Sequence, residues 1–243
     1  MDLDSGSEAF NYLRKGETLV FDYTIRATDS NTPPSSATKL VTVTITGSND
    51  SPVITGGNDT ASLTETDTTL TTNGSITVTD PDITDTVTAS VASVALSGTF
   101  TSSGSTLPSS LSASSYQALK NMLVLSNPNA GTAMTANPAD GGSTFDWTFT
   151  SGSSGDSAFD FLRDGETLVL TYTLNLTDNS GDAATQTSTT TVTITITGTN
   201  DSPVISNGAD TAALSETNAS ITTSGDRKST RLNSSHANIS YAV

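Results

Sequence analysis

The phrase Asn49-Asp50-Ser51-Pro52 returns as Asn200-Asp201-Ser202-Pro203, about 150 positions later, each time after a run in which Thr alternates with Val or Ile. Amide and carboxylate oxygens of this kind are hard donors. They suit Ca²⁺, which takes six to eight oxygen ligands and accepts backbone carbonyls among them. The Pro that closes each phrase fixes φ and biases the preceding Ser towards an extended backbone, so the chain leaves one unit straight and enters the next. A linker that stiffens on binding a cation would set the angle between the units it joins. The same letters also make a good turn, and duplication would copy that turn without any ligand. For a single residue both readings stand. For the set, acids that recur at every boundary favour the cation.

Charge agrees with a cation. The 243 residues carry 25 Asp and Glu against 9 Lys and Arg, a formal charge of -16. Such a surface repels nucleic acid and anionic membranes and draws cations. With Cys absent, disulfides, thiolate nucleophiles and thiolate metal sites are excluded. No window approaches a membrane span, and no basic-then-apolar signal opens the chain; if the protein is exported, its signal is expected elsewhere, such as the far end of a longer gene. The last 18 residues, DRKSTRLNSSHANISYAV from Asp226, match a sequencing-library adapter translated in one frame. They are read as an adapter-derived, disordered artefact and set aside. Without them the count is 6 basic against 24 acidic residues, and the only His, His236, is gone. Ser-His and Cys-His nucleophilic sites and His-based metal sites then drop out. A carboxylate pair of the glycosidase kind stays formally open, yet the acids that stand out are repeated like architecture. No catalytic residue is expected, and the chain is not read as an enzyme.

The elements that must hold these oxygens come from an internal repeat. EAFNYLRKGETLVFDYTIRATDSN from Glu8 answers SAFDFLRDGETLVLTYTLNLTDNS from Ser157, and KLVTVTITGSNDSPVI answers TTVTITITGTNDSPVI. A third block follows each phrase, NDTASLTETDTTLTTNGS and ADTAALSETNASITTSG. These matches predict the end of one unit over residues 1–50, a complete unit over 51–201, and the start of a third over 202–225, within a longer tandem array. Leu168, Leu170, Tyr172, Leu174 and Leu176 alternate with Val169, Thr171, Thr173 and Asn175, the period of a strand with one buried face. Val192, Ile194 and Ile196 repeat the pattern, and Phe145, Trp147 and Phe149 share a face, which places Trp147 in a core. Strands broken by Gly, Ser, Asn and Asp turns predict an all-β fold, an antiparallel sandwich. Around SASSYQALKNMLVL, Tyr116, Leu119 and Leu123 fall at helical spacing and predict one short helix.

On these motifs (SITVTDPDITDTVTAS, FDWTFTSG, LRDGETLVLTYTLNLTDNSG and the closing VTITITGTNDSPVI) the chain resembles the VCBS repeat and related cadherin-like modules of large bacterial surface proteins and secreted adhesins. The resemblance implies tandem Ig-like sandwiches, one complete and two partial, with an extracellular or cell-surface location. It also implies a part in adhesion or biofilm formation, as in the RTX adhesins. Neighbouring repeats are the implied partners, with surface glycans or other cells at the far end, and with neither nucleic acid nor membrane insertion. It extends the Ca²⁺ ligand set at the first boundary to Glu17, Asn49, Asp50, Asp80, Asp82 and Asp178. At the second it adds Glu166, Asn200 and Asp201, while Glu65 and Glu216 match the family's early Glu. Where cadherins place an acid two residues before the Asn-Asp pair, this chain has Gly47 or Gly198, which implies one carboxylate fewer. A carbohydrate-binding sandwich is the alternative. Tyr12, Phe161, Tyr23 and Tyr172 sit at matched repeat positions and read as core, leaving Tyr116 as the least constrained sugar platform.

Overall fold

The structure, a computed structural model, describes residues 9–56, 59–99, 113–126, 134–152, 159–202, 204–205, 213–216, 218–222 and 229–230. Thirteen strands follow in chain order: β1 (Thr18–Thr28), β2 (Ser36–Thr46), β3 (Val53–Ile54), β4 (Asp59–Thr64), β5 (Thr71–Thr79), β6 (Thr86–Gly98), β7 (Leu123–Ser126), β8 (Met134–Thr135), β9 (Ser143–Thr150), β10 (Thr167–Asp178), β11 (Thr187–Thr197), β12 (Val204–Ile205) and β13 (Ser229–Thr230). One helix, α1 (Ala113–Lys120), precedes β7.

Nine of these strands build a sandwich. One sheet runs β4-β11-β10-β6-β8 and the other β3-β5-β9-β7. The central hairpin β10–β11 follows the alternation in its sequence: Leu168, Leu170, Tyr172, Leu174, Leu176, Val192, Ile194 and Ile196 are all buried, and the intervening Thr residues lie on the outer face. Burying each such Leu or Ile stabilises the fold by about 1.5–3 kcal/mol. From the facing sheet, Phe145, Trp147 and Phe149 point inward, with Phe149 edge-on to Tyr172 at 6.4 Å. The indole Nε1–H of Trp147 donates to Asp59 Oδ2 at 2.7 Å, so the large ring is buried with its polar edge satisfied. The indole reaches this place only because position 74 is Gly; a Cβ there would lie 2.5 Å from the Trp147 ring.

Strand β6 carries a feature that its sequence pattern hides. Its pairing with β10 steps from Thr173↔Ser93 to Leu174↔Val91, leaving Ala92 as an extra residue. This bulge flips the period-2 phase, so that Val87, Ala89 and Val91 before it and Val94 and Leu96 after it all turn towards the core. Strand β4 joins β11 in parallel, Val192↔Asp59 to Thr197↔Thr64, and so lies at the edge next to the end of β11.

The helix forms where the spacing placed it but stops at Lys120. Leu123, expected on its face, instead begins β7 opposite Phe149, because Asn121 and Met122 close the helix on the carbonyls of Gln117 and Leu119. The possible Ser112 cap lies outside the described residues. Before the sandwich, β1 and β2 form a two-stranded ribbon in the register of β10–β11: Thr18 pairs with Thr46 as Thr167 does with Thr197. After it, Val204–Ile205 pair with Ser229–Thr230, which fall in the stretch read as adapter-derived; the remainder of that stretch is outside the described residues.

Candidate cation-binding joints

Two groups of acids lie at opposite ends of the sandwich. The first is where the linker leaves the β1–β2 ribbon. Here the loop Phe10–Glu17 is tied to the end of β2 by Gly16 N–H to Gly47 O (3.1 Å) and Gly47 N–H to Glu17 O (2.8 Å). The same pair recurs as Gly165 N–H to Gly198 O and Gly198 N–H to Glu166 O. It explains why Gly stands where an acid was missed. A Cβ on Gly47 would lie 2.3 Å from Leu13 O, and one on Gly198 2.4 Å from Arg163 O. The acid is absent because the loop occupies its space.

At this joint Asn49, only 8% exposed, donates its amide towards Asp178 Oδ2, Thr185 O and Thr185 Oγ1, each at 3.1 Å, and towards Asp50 O at 3.0 Å. Asp50 N–H donates to Asp82 Oδ2 at 2.9 Å, and Asp82 N–H to Asp80 Oδ1 at 3.0 Å. Ser51 Oγ–H donates to Thr185 O, and Ser188 Oγ–H to Pro52 O, fastening the linker to the start of β11. Glu17 accepts from Thr84 Oγ1 (3.0 Å) and Arg14 N–H (3.2 Å), and Asp178 from Ser180 N–H (2.8 Å). Six residues named from the sequence, Glu17, Asn49, Asp50, Asp80, Asp82 and Asp178, are thus linked through one network. Sequence reasoning missed Asp85, the last acid of DPDITD, which is fully buried beside them, and Arg14, whose Nε lies 2.8 Å from Asp85 Oδ1. That contact is an ion pair of close charges more than an aligned hydrogen bond, since Asp85 Oδ1 has no hydrogen-bond donor by direction.

The electrostatics of this cluster are unbalanced. Asp80, Asp82 and Asp85 are each 0% exposed, and Asp80 Oδ2, Asp82 Oδ1, Asp85 Oδ2 and Asn49 Oδ1 have no hydrogen-bond partner. Burial, and then the neighbouring carboxylates, push Asp80 up to about 7 and Asp82 to about 6. Burial also raises Asp85, against the pull of Arg14. Buried charges left unpaired cost several kcal/mol each, so protons or a cation must neutralise this cluster.

The second group caps the other end. Glu65, 1% exposed, follows β4 and docks on the end of β11: its N–H donates to Thr197 O (2.7 Å), and its Oε2 accepts from Thr199 Oγ1 (2.8 Å) and N–H (3.2 Å). Its Oε1 has no partner. Carboxylate oxygens of Glu65, Asp67 and Asp160 all lie within 4.8 Å of one another. Among the described residues, this is the triplet of acids that converges most tightly on one point, and neither Asp67 nor Asp160 was anticipated. Asp160 hid because its counterpart in the first repeat is Asn11, so comparing the repeats gave no signal there. Burial, and then the charges of Glu65, Asp201 and Asp67, push Asp160 up to about 6, which also places Asp201 beside this group. Glu166 accepts from Arg163 N–H at 3.0 Å, as Glu17 does from Arg14. Asn200 is exposed, unlike its buried counterpart Asn49, and Glu216 is exposed as well.

The aromatic candidates sort differently from expectation. Tyr116 is half-buried against the core, and its hydroxyl accepts from Val94 N–H at 3.3 Å, which commits it to the sandwich. Tyr12, expected in a core, is 38% exposed, because the described part of its repeat is a ribbon without a second sheet.

Comparison with known proteins adds little. No protein-family model matches the chain, and no curated protein does. Solved structures that align with it include an endo-fucoidan hydrolase from glycoside hydrolase family 107 (12% identity, 77% of this chain and 19% of that one, TM-score 0.29). They also include the protocadherin gammaB7 EC3-6 cis-dimer (15% identity, 76% and 34%, TM-score 0.32). A third is zebrafish RET cadherin-like domains 1 to 4 (13% identity, 75% and 34%, TM-score 0.26). The chain spans between a fifth and a third of the length of these structures, and likeness at this level carries no functional weight.

Proposed function

We propose that this chain is a segment of a tandem β-sandwich array of the VCBS or cadherin-like kind, exposed outside the cell, whose joints are stiffened by Ca²⁺. Its role is that of a spacer in adhesion or biofilm formation, with the neighbouring repeats as its immediate partners. The observation that supports this most directly is the set of buried oxygens without a hydrogen-bond partner on Asn49, Asp80, Asp82 and Asp85. A divalent cation there would be held by Asp80, Asp82 and Asp178 from the sandwich, with Asn49, Asp50 and Glu17 from the linker and the preceding loop. It would supply the positive charge that the cluster lacks. The donors are all oxygen, which suits Ca²⁺ and disfavours softer metals. At the other end, Glu65, Asp67, Asp160, Asp201 and Glu166 supply the upper half of a second joint. That acids gather at both ends of one unit supports a structural role and not a single active site. No helix among the described residues is long and apolar enough to cross a membrane.

The test is a Ca²⁺ titration of the chain followed by melting temperature and by calorimetric heat, with Mg²⁺ in parallel. The melting temperature should rise and saturate near the weak extracellular range, roughly 10⁻⁴ to 10⁻³ M, and the rise should shrink in Asp80→Ala and Asp50→Ala. A melting curve and heat indifferent to Ca²⁺ would make the phrase a copied turn and the array a plain flexible spacer.

A further inference from the structure

Two basic residues of the preceding repeat lie on the acidic end of the following one, and the Ca²⁺ reading does not use them. Arg14 Nε sits 2.8 Å from the buried carboxylate of Asp85, and its guanidinium also donates to Asn179 O at 3.3 Å. The next residue, Lys15, donates from Nζ to Asp182 Oδ2 at 2.9 Å. Both come from the loop Phe10–Glu17, and their partners come from two separate turns, 82–85 and 179–182, at one end of the sandwich. The turns are prepared for this contact: Asp85 N–H is fixed on Asp82 O, Asn179 Oδ1 accepts from Thr86 N–H, and Asp182 accepts from Ala184 N–H. Lys15 beside Asp182 in turn holds that carboxyl below its ordinary range.

We infer that Arg14 and Lys15 form a metal-independent recognition element, a basic pair that docks one repeat onto the paired acids Asp85 and Asp182 of the next and holds the joint in register before any cation binds. The inference rests on the proposed joint between repeats but not on its Ca²⁺ occupancy. It also predicts a pairing rule. The matching loop at the end of the complete repeat reads Arg163-Asp164, so it keeps the Arg and reverses the second charge. It suits a follower with an acid at the Asp85 position and without one at the Asp182 position. Like charges brought together across an interface cost enough to reject a wrong neighbour.

The chain has no Cys, which makes spin labelling direct. Labels at Thr38→Cys on the ribbon and Thr148→Cys on the sandwich, both exposed positions, report the joint by pulsed electron spin resonance. In chelator, the parent chain should give one narrow distance distribution. Arg14→Gln with Lys15→Gln should broaden it, with the share of misaligned joints rising about tenfold or more, as expected for the loss of one surface ion pair and of the cation beside a buried carboxylate. Lys15→Asp should broaden it further, and adding Asp182→Lys to that variant should narrow it again. Charge reversal at Lys15, which is exposed, and Asp182, which is half-buried in a turn, leaves the sandwich core untouched, which the Trp147 near-ultraviolet signal verifies. A chelated distribution unchanged by either loss would overturn the inference, as would failure of the reversed pair to restore it. Because every arm is read without Ca²⁺, failure of the Ca²⁺ titration would leave this result standing.

Discussion

The two ends of the sandwich carry similar numbers of acids but keep them in different states. At the first joint the acids meet a linker and a preceding loop: Asn49 is buried, Asp82 receives the Asp50 N–H, and Asp85 faces Arg14. At the second, Glu65 and Asp160 are buried while Asn200, the counterpart of Asn49, is exposed. The NDSPVI phrase is the same at both ends, so Asn49 and Asn200 differ in their surroundings and not in their own letters. On the proposed function, each unit would prepare half a site at either end for a neighbour to complete. An array built so would transmit stiffness, because each interface term depends on two adjacent units only.

The largest effect should come from restoring the acid that the linker lacks. Gly198 is buried, and a Cβ on it would lie 2.4 Å from Arg163 O and 2.5 Å from Leu162 Cβ. Gly198→Asp is expected to cost about 3 kcal/mol or more through this clash, seen as a lower melting temperature in the Trp147 near-ultraviolet signal. Gly47→Asp meets the carbonyls of Leu13 and Arg14, so it should free the preceding loop and leave the main Trp147 transition in place. Tighter Ca²⁺ binding by Gly198→Asp, with an unchanged melt, would show that the family's acid fits here after all.

A pH series in chelator separates the two ends next. An Asp whose folded pKa lies above its unfolded value holds more protons when folded, so stability falls as pH rises between the two values and is flat above them. For Asp80 the window runs from 3.8 to about 7, and for Asp160 from 3.8 to about 6. The metal-free chain should lose about 2–4 kcal/mol across the wider window, as judged from shifts of this size. Asp80→Asn should remove most of the slope between pH 6 and 7 and part of it below, whereas Asp160→Asn should reduce it only below pH 6. Saturating Ca²⁺ should remove most of the slope. Stability that rises through pH 5 to 7 in chelator would contradict the buried, unbalanced clusters.

Asp160 also marks where the two repeats diverge. Asp160→Asn gives the second end the residue of the first repeat and should weaken cation binding there about tenfold, since fewer charged ligands weaken Ca²⁺ sites. Asn11 is exposed, so Asn11→Asp should give no matching gain. Isothermal calorimetry on both variants checks this, and equal and opposite changes would mean that the two loops are interchangeable.

Much of this was legible in the sequence where contacts repeat at short period. The Leu168 to Leu176 alternation, the Val192 to Ile196 alternation and the shared face of Phe145, Trp147 and Phe149 all report burial on one side of a strand, which period 2 encodes directly. The linker acids were legible because they recur. What stayed hidden depends on pairing between distant segments. The Ala92 bulge exists only relative to β10, and the parallel β4–β11 pairing joins residues more than a hundred positions apart. Asp85 was visible as the third acid of DPDITD, but its partner Arg14 lies in another repeat, so no local window connects them. Gly47 and Gly198 looked like lost ligands because a missing side chain reads as absence until the loop that fills its space is seen.

The smallest of these effects concerns one hydroxyl. The two linkers differ at the residue before the Asn-Asp pair, Ser48 in the first and Thr199 in the second. Thr199 Oγ1 donates to Glu65 Oε2 at 2.8 Å, which gives a buried carboxylate one of its two donors, whereas Ser48 is exposed. Thr199→Val keeps the shape and removes the donor, so it should cost about 1–2 kcal/mol in chelator, between an ordinary hydrogen bond and a strong one to a charged group. Thr199→Ser should recover most of the loss, and Ser48→Ala should stay within about 0.5 kcal/mol. Added Ca²⁺ should shrink the Thr199→Val penalty, because a cation at Glu65, Asp67 and Asp160 would neutralise the carboxylate that lost its donor. A penalty that persists unchanged in Ca²⁺ would separate Glu65 from the cation and leave it as a clasp between β4 and the end of β11.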